Sequence, residues 1–438
     1  MRSKGQSAPC SGTLIVAATR GRSALPACGA NGDPDGHGHT KLRRPVSSAV
    51  PKSAEIVIIG AGIQGASLAF HLAAAGRRPL VLDRPGVSNA TGRSSGMVRM
   101  HYDQPENVAL AWRSLAVFQN WAEVVGGHCG FTRTGFLQLV PRDLVEQLAA
   151  NVAMQQGLGV PTLLVNADDV RRLAPEMEVG DIDLAAYEPE SGYADPSGAA
   201  ASLLAAARAR GASVLTSACV AAILTDGDRV VGVRTSDGDI AAGTVVLAAG
   251  AWSGQLARGI GLDLPIRSWV HDTAYVTRPH AFRTFPAFID FGRAMYVRPE
   301  GRHLVLIGLE DGHPVLESPD DVQHGAAEFT DRAIERVTAR LPRLADGGLH
   351  GAGYGVDGLT PDQQPIIGPA APFGPDGLWL DCGFSGTGFK TAPAVGESLA
   401  RRILEGESAA NELTIFGVDR FFGPRRIRAP HPYPPIWH

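Results

Sequence analysis

Cysteine is scarce in this sequence of 438 residues, and its five cysteines are scattered, odd in number and without C-x-x-C spacing. This excludes a disulfide-rich fold, gives no signal for a metal site and fits a reducing compartment. No apolar run approaches the roughly 18 residues of a membrane span. The net charge of −4 offers no basic excess for nucleic acid. We predict a cytoplasmic protein with no metal, no membrane span and no nucleic-acid partner.

Residues 1–52 differ in composition from the rest of the chain. Ser, Gly, Pro and basic residues dominate this segment, and its longest apolar run is too short for the core of a signal peptide. A disordered extension, a transit-like peptide and a start codon upstream of the real one are all compatible with it. We favour disorder and expect the fold to begin near Ser53.

The segment from 55 to 83 carries the most informative pattern. A short apolar strand leads into G-A-G-I-Q-G, an alanine-rich helical stretch and a second apolar strand. In such a unit Gly60 permits a tight turn, Gly62 lets the backbone approach a pyrophosphate, and Gly65 allows close packing of helix on strand. Asp83 ends the second strand, about 20 residues after the first glycine, where a carboxylate binds ribose hydroxyl groups. We predict a dinucleotide site.

The rest of the chain predicts two kinds of sheet. A buried strand from Thr244 to Ala248 leads into the small residues of A-G-A-W. Between about 265 and 345, three apolar stretches read as strands of an antiparallel sheet, followed by a helix from about Asp331 to Arg340. We therefore predict an α/β fold in which a second, α+β domain is inserted into the first.

Four motifs occur in order and together carry a family signature. They are G-A-G-I-Q-G with Asp83 and Arg84, L-A-A-G-A-W at 247–252, T-P-D-Q-Q-P-I-I-G at 360–368 and G-F-S-G-T-G-F-K at 383–390. This set resembles the D-amino-acid oxidase superfamily of FAD-dependent oxidoreductases, above all sarcosine oxidase and the β subunits of related amine dehydrogenases. The resemblance covers about 53–417.

The resemblance implies a Rossmann-like βαβ FAD-binding domain of the glutathione-reductase type, roofed by an antiparallel-sheet substrate domain. The expected FAD-binding domain is discontinuous and comprises 53–110, 190–262 and 350–417. The expected substrate domain comprises 111–189 and 263–349, and 418–438 is a C-terminal tail.

The same resemblance implies FAD as the cofactor and assigns residues to it by motif. These residues are Gly60, Gly62, Ile63, Gln64, Gly65, Asp83, Arg84, Ser94, Ser95, Val220, Gly250, Trp252, Gly386, Thr387, Gly388 and Lys390. The first six belong to the dinucleotide motif, and Gly386 to Gly388 are expected near the isoalloxazine.

Three residues are expected at the substrate. Arg99 and Lys390 match the two cations with which sarcosine oxidase binds its substrate carboxylate, and an arginine can hold a carboxylate through two hydrogen bonds. Tyr296 is expected on the roof of the pocket. A loop ion pair for Arg99, a surface position for Lys390 and a half-buried strand position for Tyr296 are the alternatives.

Two departures from the family pattern affect the chemistry. Gly355 stands where monomeric sarcosine oxidases carry the cysteine that tethers FAD, so we expect FAD to be non-covalent. Leu306 stands where the oxidases place a lysine over the flavin. A cation there stabilises superoxide, so its replacement argues against fast reaction with oxygen.

The resemblance thus implies FAD-dependent oxidation of the C–N bond of an amino acid or secondary amine. Hydride transfer to flavin N5 would give an imine, which water hydrolyses, and the electrons would pass to oxygen or to a separate acceptor. An FAD-dependent hydroxy-acid dehydrogenase, or a flavin-binding subunit of a larger dehydrogenase complex, is the alternative.

Overall fold

The fold begins with the predicted strand, glycine turn and helix. A computed structural model describes residues 50–85, 89–322 and 326–434. The expected N-terminal extension, except for residues 50–52, lies outside these residues. The strand Ile56–Ile59 and the helix Ile63–Ala74 confirm the prediction, and Gly76, with φ of +79°, follows the helix end.

The strands and helices alternate irregularly along the described chain. The strands are β1 (Ile56–Ile59), β2 (Leu80–Leu82), β3 (Met97–Val98), β4 (Thr132–Arg133), β5 (Phe136–Leu139), β6 (Leu163–Asn166), β7 (Leu184–Glu188), β8 (Gly192–Tyr193), β9 (Ser213–Leu215), β10 (Val220–Asp226), β11 (Arg229–Thr235), β12 (Gly238–Ala241), β13 (Thr244–Leu247), β14 (Arg267–Thr277), β15 (Ala287–Asp290), β16 (Met295–Glu300), β17 (Leu304–Leu309), β18 (Val315–Leu316), β19 (Leu349–Leu359), β20 (Ile366–Pro369) and β21 (Leu378–Cys382). The α-helices are α1 (Ile63–Ala74), α2 (Ala90–Arg93), α3 (Pro105–Gln119), α4 (Trp121–Val124), α5 (Val145–Gly157), α6 (Ala167–Leu173), α7 (Pro196–Ala209), α8 (Ser253–Arg258), α9 (Ala326–Arg340), α10 (Gly388–Glu405) and α11 (Asp419–Phe422).

The first large sheet has the order β20-β21-β13-β1-β2-β9 and is parallel except for its edge strand β20. Its central strand β1 is buried on both faces. Ile56 and Ile58 pack against helices α1, α7 and α10, whereas Val57 and Ile59 pack against the small sheet β10-β11-β12. Burial on both faces explains why this strand is apolar throughout.

The second large sheet has the order β18-β14-β17-β16-β15-β5-β7-β6, and β19 also pairs with β14. It is antiparallel apart from the parallel pair of β5 and β15. Alternation along β16 directs Met295 and Val297 toward helix α9, while Tyr296 lies on the opposite face. This opposite face covers the cavity described below.

The two sheets draw their strands from interleaved segments of the chain, and this confirms the predicted fold class. One strand departs from the expected division, because β19 lies in the segment expected for the FAD-binding domain and pairs with the second sheet. The domain boundaries themselves remain a prediction. No helix in the described part of the chain is both long enough and apolar enough to cross a bilayer.

Arg420 ties the C-terminal helix α11 to the loop 360–364. Its side chain is fully buried, and its Nε donates to Asp362 Oδ2 at 2.7 Å. Its two terminal nitrogens also donate to the carbonyl oxygens of Phe416, Gly417 and Gln364. Arg420 therefore holds both Asp362 and Gln364 of this loop.

Replacing Arg420 by Ala should lower the free energy of unfolding by about 3–5 kcal/mol, because the Asp362 carboxylate then loses its buried partner. Urea denaturation measures this. Arg77→Ala is the matched control, since Arg77 and Glu55 form an ion pair in which both side chains are about half exposed. It should cost less than about 1 kcal/mol. Equal effects of the two variants would contradict the assignment.

Candidate active site

One large cavity lies at the carboxyl ends of the parallel strands. Its volume is about 990 Å³, and its walls come from both large sheets and from the N-termini of helices α1 and α10. The carboxyl end of a parallel sheet is where α/β folds bind their ligands. The volume is at the upper end of the range for ligand sites.

Two glycines let the backbone close tightly at one end of this cavity. Gly60 has φ of +112°, and a Cβ atom there would lie 2.3 Å from the carbonyl oxygen of Ala248. A Cβ atom at Gly65 would lie 2.1 Å from the carbonyl oxygen of Gly60. Both positions therefore require glycine. Gly62 is less crowded, with Thr91 Oγ1 at 3.2 Å as its nearest neighbour, and it lines the cavity.

Two helix N-termini border the same space. Helix α1 begins at Ile63, whose backbone N–H donates to Thr91 Oγ1 at 3.0 Å. Helix α10 begins at Gly388, and the Gln64 side chain donates to the carbonyl oxygen of Gly388 at 2.7 Å. Helix N-termini supply free N–H groups and positive potential, which suit pyrophosphate and electron-rich ring atoms.

Asp83 lies at the end of β2 and lines the cavity, as does the neighbouring Arg84. Burial raises the pKa of Asp83, while hydrogen bonds from the backbone of Arg84 and Ala61 oppose the rise. The Arg84 guanidinium lies 4.3 Å from the ring centroid of Trp252. The side chains of Arg84 and Trp252 also donate hydrogen bonds to Asp320. Their position at this end of the cavity is therefore fixed by a shared acid.

All the residues predicted to bind FAD, apart from Gly65, line this one cavity. Gly65 lies behind it, at the contact between helix and strand. Open space for a ligand is present at Gly250 and beside Gly386, where an added Cβ atom would meet nothing closer than 3.9 Å. The residues therefore fit FAD, although the role of each one remains a prediction.

The structure brings Arg99 and Lys390 together around one aromatic ring. The Arg99 guanidinium lies 4.3 Å, and Lys390 Nζ 5.8 Å, from the ring centroid of Tyr102. Lys390 Nζ donates to the carbonyl oxygen of Gly386 at 2.9 Å, and Arg99 donates to that of His101. Burial lowers the pKa of Lys390. Arg99 Nε is buried and has no hydrogen-bond partner among the described residues.

Tyr296 lies on the roof of the cavity and is buried. It faces Gly308 on the neighbouring strand β17, where a Cβ atom would lie 1.9 Å from its ring. The absence of a side chain at Gly308 therefore makes room for the ring of Tyr296. Leu306, two residues earlier on β17, is fully buried in the apolar cluster that contains Tyr296.

His101 is held on both ring nitrogens. Nε2 lies 2.8 Å from Tyr433 Oη, and Nδ1 lies 3.1 Å from Gln155 Nε2. Burial, helped by the charge of Arg99, lowers the pKa of His101 to about 3. The imidazole is therefore neutral and serves as a hydrogen-bonded support beside Arg99.

The sequence did not predict that the C-terminal tail would reach this site. Residues 427–434, called here the C-terminal strap, include six that line the cavity. The Tyr433 backbone N–H donates to Asp103 Oδ2 at 3.1 Å, and its ring packs on Phe291 with centroids 5.1 Å apart. The Asn151 side chain donates to the carbonyl oxygen of His431. The C-terminal strap covers the cavity through contacts with residues far away in the sequence, and sequence motifs do not show such contacts.

Two buried acids in the cavity wall were also missed. Asp381 lies near the end of β21, and both of its carboxyl oxygens lack a hydrogen-bond partner among the described residues. Burial raises the pKa of Asp381 to about 7. Glu310 follows β17 and is likewise buried. The sequence signal for both residues is an acid within or directly after an apolar strand.

Comparisons with known proteins agree with this geometry. A family model described as "DAO: FAD dependent oxidoreductase" matches residues 55–402. Mitochondrial sarcosine dehydrogenase of Homo sapiens is 28% identical over 85% of this chain and 42% of that protein. N-methyl-L-tryptophan oxidase of Citrobacter koseri is 28% identical over 84% of this chain and 99% of that protein. The chain thus spans less than half the length of the first of these relatives.

Among solved structures, L-proline dehydrogenase from P. horikoshii has a TM-score of 0.78 and 27% identity. The match covers 85% of this chain and 99% of that one. The superposition supports the whole arrangement of a parallel sheet roofed by an antiparallel sheet.

Replacing Tyr433 by Phe should loosen the C-terminal strap, because His101 Nε2 then loses its partner in a buried position, at a cost of about 1–3 kcal/mol. We expect tryptic cleavage at Arg425, Arg426 and Arg428 to become about 5-fold faster or more, since local opening exposes these bonds. Limited proteolysis of the FAD-loaded protein followed by mass spectrometry measures this. Tyr187→Phe, outside the cavity, is the control, and an unchanged cleavage rate in Tyr433→Phe would contradict the role of the hydroxyl group.

Proposed function

The chain belongs to the DAO family of FAD-dependent oxidoreductases, and on that basis we propose that it oxidises the C–N bond of a carboxylate-bearing secondary or N-methylated amine. The observation that carries this proposal is the pair Arg99 and Lys390. Lys390 is buried and Arg99 half-buried, and both line the cavity next to the helix start that the family signature assigns to the flavin. A small carboxylate supplies the matching charge.

The protein contributes mainly binding, orientation and exclusion of water. FAD, when bound, would supply the oxidation as a hydride acceptor for the carbon next to the amine nitrogen. Arg99 and Lys390 hold the substrate carboxylate and so direct that carbon toward the flavin. The second sheet, with Tyr296, and the C-terminal strap cover the reacting atoms. Neutral His101 is hydrogen-bonded on both nitrogens, so the proposal assigns it no proton transfer.

The names of the relatives support a substrate of this class, since they refer to sarcosine, to N-methyl-L-tryptophan and to L-proline. Each of these compounds has a carboxylate and a secondary amine. Oxygen or a separate carrier accepts the electrons in our proposal, and the apolar Leu306 favours the carrier. We also propose a cytoplasmic location, which rests on the scattered cysteines.

An anaerobic titration tests the function. Sarcosine, dimethylglycine, L-proline and N-methyl-L-tryptophan are added in turn to the FAD-loaded protein, and the flavin absorbance near 450 nm is followed. N-methylethanolamine, which has no carboxylate, is the matched control. Bleaching by an amino acid but not by the control supports the proposal, and readmitted air shows how fast oxygen accepts the electrons. A flavin that none of the four amino acids bleaches would overturn it.

Removing either cation should weaken substrate binding. Arg99→Ala and Lys390→Ala should each raise KM about 10- to 100-fold, since a charged hydrogen bond contributes about 1.5–3 kcal/mol. Steady-state kinetics with the amino acid found above measures this. Arg77→Ala, on the far surface, should leave KM unchanged. Wild-type kinetics in both cavity variants would show that the carboxylate binds elsewhere.

FAD should leave the protein when the protein is denatured. Gly355 stands at the expected tether position, where a Cβ atom would lie 2.6 Å from Arg93 Cβ, so a larger side chain does not fit without movement. Precipitation with trichloroacetic acid should therefore release all of the flavin into the supernatant, measured by absorbance. Flavin that stays in the pellet would reveal a covalent bond.

A further inference from the structure

Glu310 places a carboxylate in the roof of the substrate cavity. It directly follows β17, and its backbone N–H donates to the carbonyl oxygen of Ala294 at 2.8 Å, which fixes the start of the side chain. The residue is only 2% exposed and lines the cavity. The proposed chemistry gives this acid no task.

The hydrogen bonding of the Glu310 side chain differs from that of the acidic side chains near it. Its Oε2 atom is buried and has no hydrogen-bond partner among the described residues. The nearby Asp290 accepts from Arg340 at 2.8 Å, and Asp311 accepts from both Arg332 and Arg336. A buried carboxyl oxygen without a partner is costly, and in native proteins such groups point to a function.

The cavity wall therefore carries charges of both signs. Lys390 belongs to helix α10, the Arg99 guanidinium lies 5.5 Å from the ring centroid of Phe136 in the antiparallel sheet, and Glu310 follows β17 of the same sheet. An amino acid in water is a zwitterion whose carboxylate and ammonium need partners of opposite sign. The first need is met by the two cations. Of the two described cavity acids with unpartnered carboxyl oxygens, Asp381 belongs to the parallel sheet, whereas Glu310 follows β17 in the roof sheet that carries Tyr296.

We propose that Glu310 binds the positively charged nitrogen of the substrate, so that the cavity selects zwitterions over simple carboxylates. This inference rests on the proposed function, because it requires the substrate carboxylate to be bound by Arg99 and Lys390. It makes Glu310 a specificity-determining residue, which acts by pairing one carboxylate with one cationic nitrogen.

The electrostatic surroundings agree with a ligand-dependent charge on Glu310. Burial raises its pKa well above the usual range; Arg99 opposes the rise, and Asp290 and Asp311 add to it. The Tyr296 hydroxyl is the other titratable group coupled to it. Burial therefore favours the neutral form of the acid, and a bound cation favours its ionised form. Cation binding then releases a proton, so affinity for the cation rises with pH up to the raised pKa.

Two ligands of the same shape separate charge from size. Trimethylglycine has a fixed positive charge and no lone pair on nitrogen, so it cannot be oxidised as an amine. 3,3-Dimethylbutanoate replaces that nitrogen by carbon and is uncharged at this end. Each is titrated into the FAD-loaded protein, and the flavin spectrum gives Kd. The wild-type protein should bind the charged ligand about 10-fold more tightly or better.

Glu310→Gln should abolish this preference. We expect Kd for trimethylglycine to rise about 10-fold or more and Kd for 3,3-dimethylbutanoate to change less than about 2-fold. Glu310→Asp, which keeps the charge, should restore part of the preference. Glu335→Gln, on the exposed side of helix α9, is the control and should change neither value.

Each other outcome overturns the inference. Equal weakening of both ligands by Glu310→Gln means that Glu310 only supports the cavity, and an unchanged Kd for trimethylglycine means that another group binds the cation. If neither ligand nor acetate alters the flavin spectrum, the carboxylate site is absent and the proposed function fails with it.

A second measurement tests the inference if the Glu310→Gln variant does not retain flavin. Calorimetry of the wild-type protein in buffers of different ionisation enthalpy counts the protons released. Trimethylglycine should release more protons than its uncharged isostere. Equal proton release by both ligands would also overturn the inference.

Discussion

The close contact between Gly60 and Gly65 sets the geometry on which the rest of the site depends. The carbonyl oxygen of Gly60 occupies the space that a side chain at position 65 would need, and Gly60 itself is pressed against Ala248. Because the strand end, the helix start and the next parallel strand meet without side chains, the N-terminus of α1 opens directly into the cavity. Helix α10 then packs on α1, and the Ser67 side chain fills the space that a side chain at position 396 would need.

The roof of the cavity depends on a different constraint, the alternation of side chains along β-strands. On β16 this alternation sends Met295 and Val297 into the core beneath helix α9 and leaves Tyr296 facing the cavity. Gly308 on the neighbouring strand provides the space for the tyrosine ring. The same sheet carries Glu310 just past the end of β17. A shift of one residue in the register of these strands would reverse which side chains face the flavin site.

Several charged groups of the cavity wall have atoms without a protein partner among the described residues. By contrast, Asp290 is paired with Arg340, and Arg420 is paired with Asp362 and with backbone carbonyls. In the cavity, Arg99 Nε, Glu310 Oε2 and both carboxyl oxygens of Asp381 are left without partners. Unpaired groups of both signs in one enclosed space are costly to the protein alone, and they become favourable once a charged substrate and a cofactor supply the partners.

The sequence by itself determined the βαβ start, the position of Asp83, the fold class and the residues that line the cofactor end, because glycine turns and buried parallel strands impose strict local patterns. It also indicated Arg99, Lys390 and Tyr296 through motifs at fixed distances. Only the tertiary structure showed that both cations lie near the Tyr102 ring, that the strap at 427–434 covers the cavity, and that Glu310 and Asp381 have buried carboxyl oxygens without partners in the described chain. These features arise from contacts between segments hundreds of residues apart, and local propensity and spacing contain no information about which distant side chains such contacts will bring together.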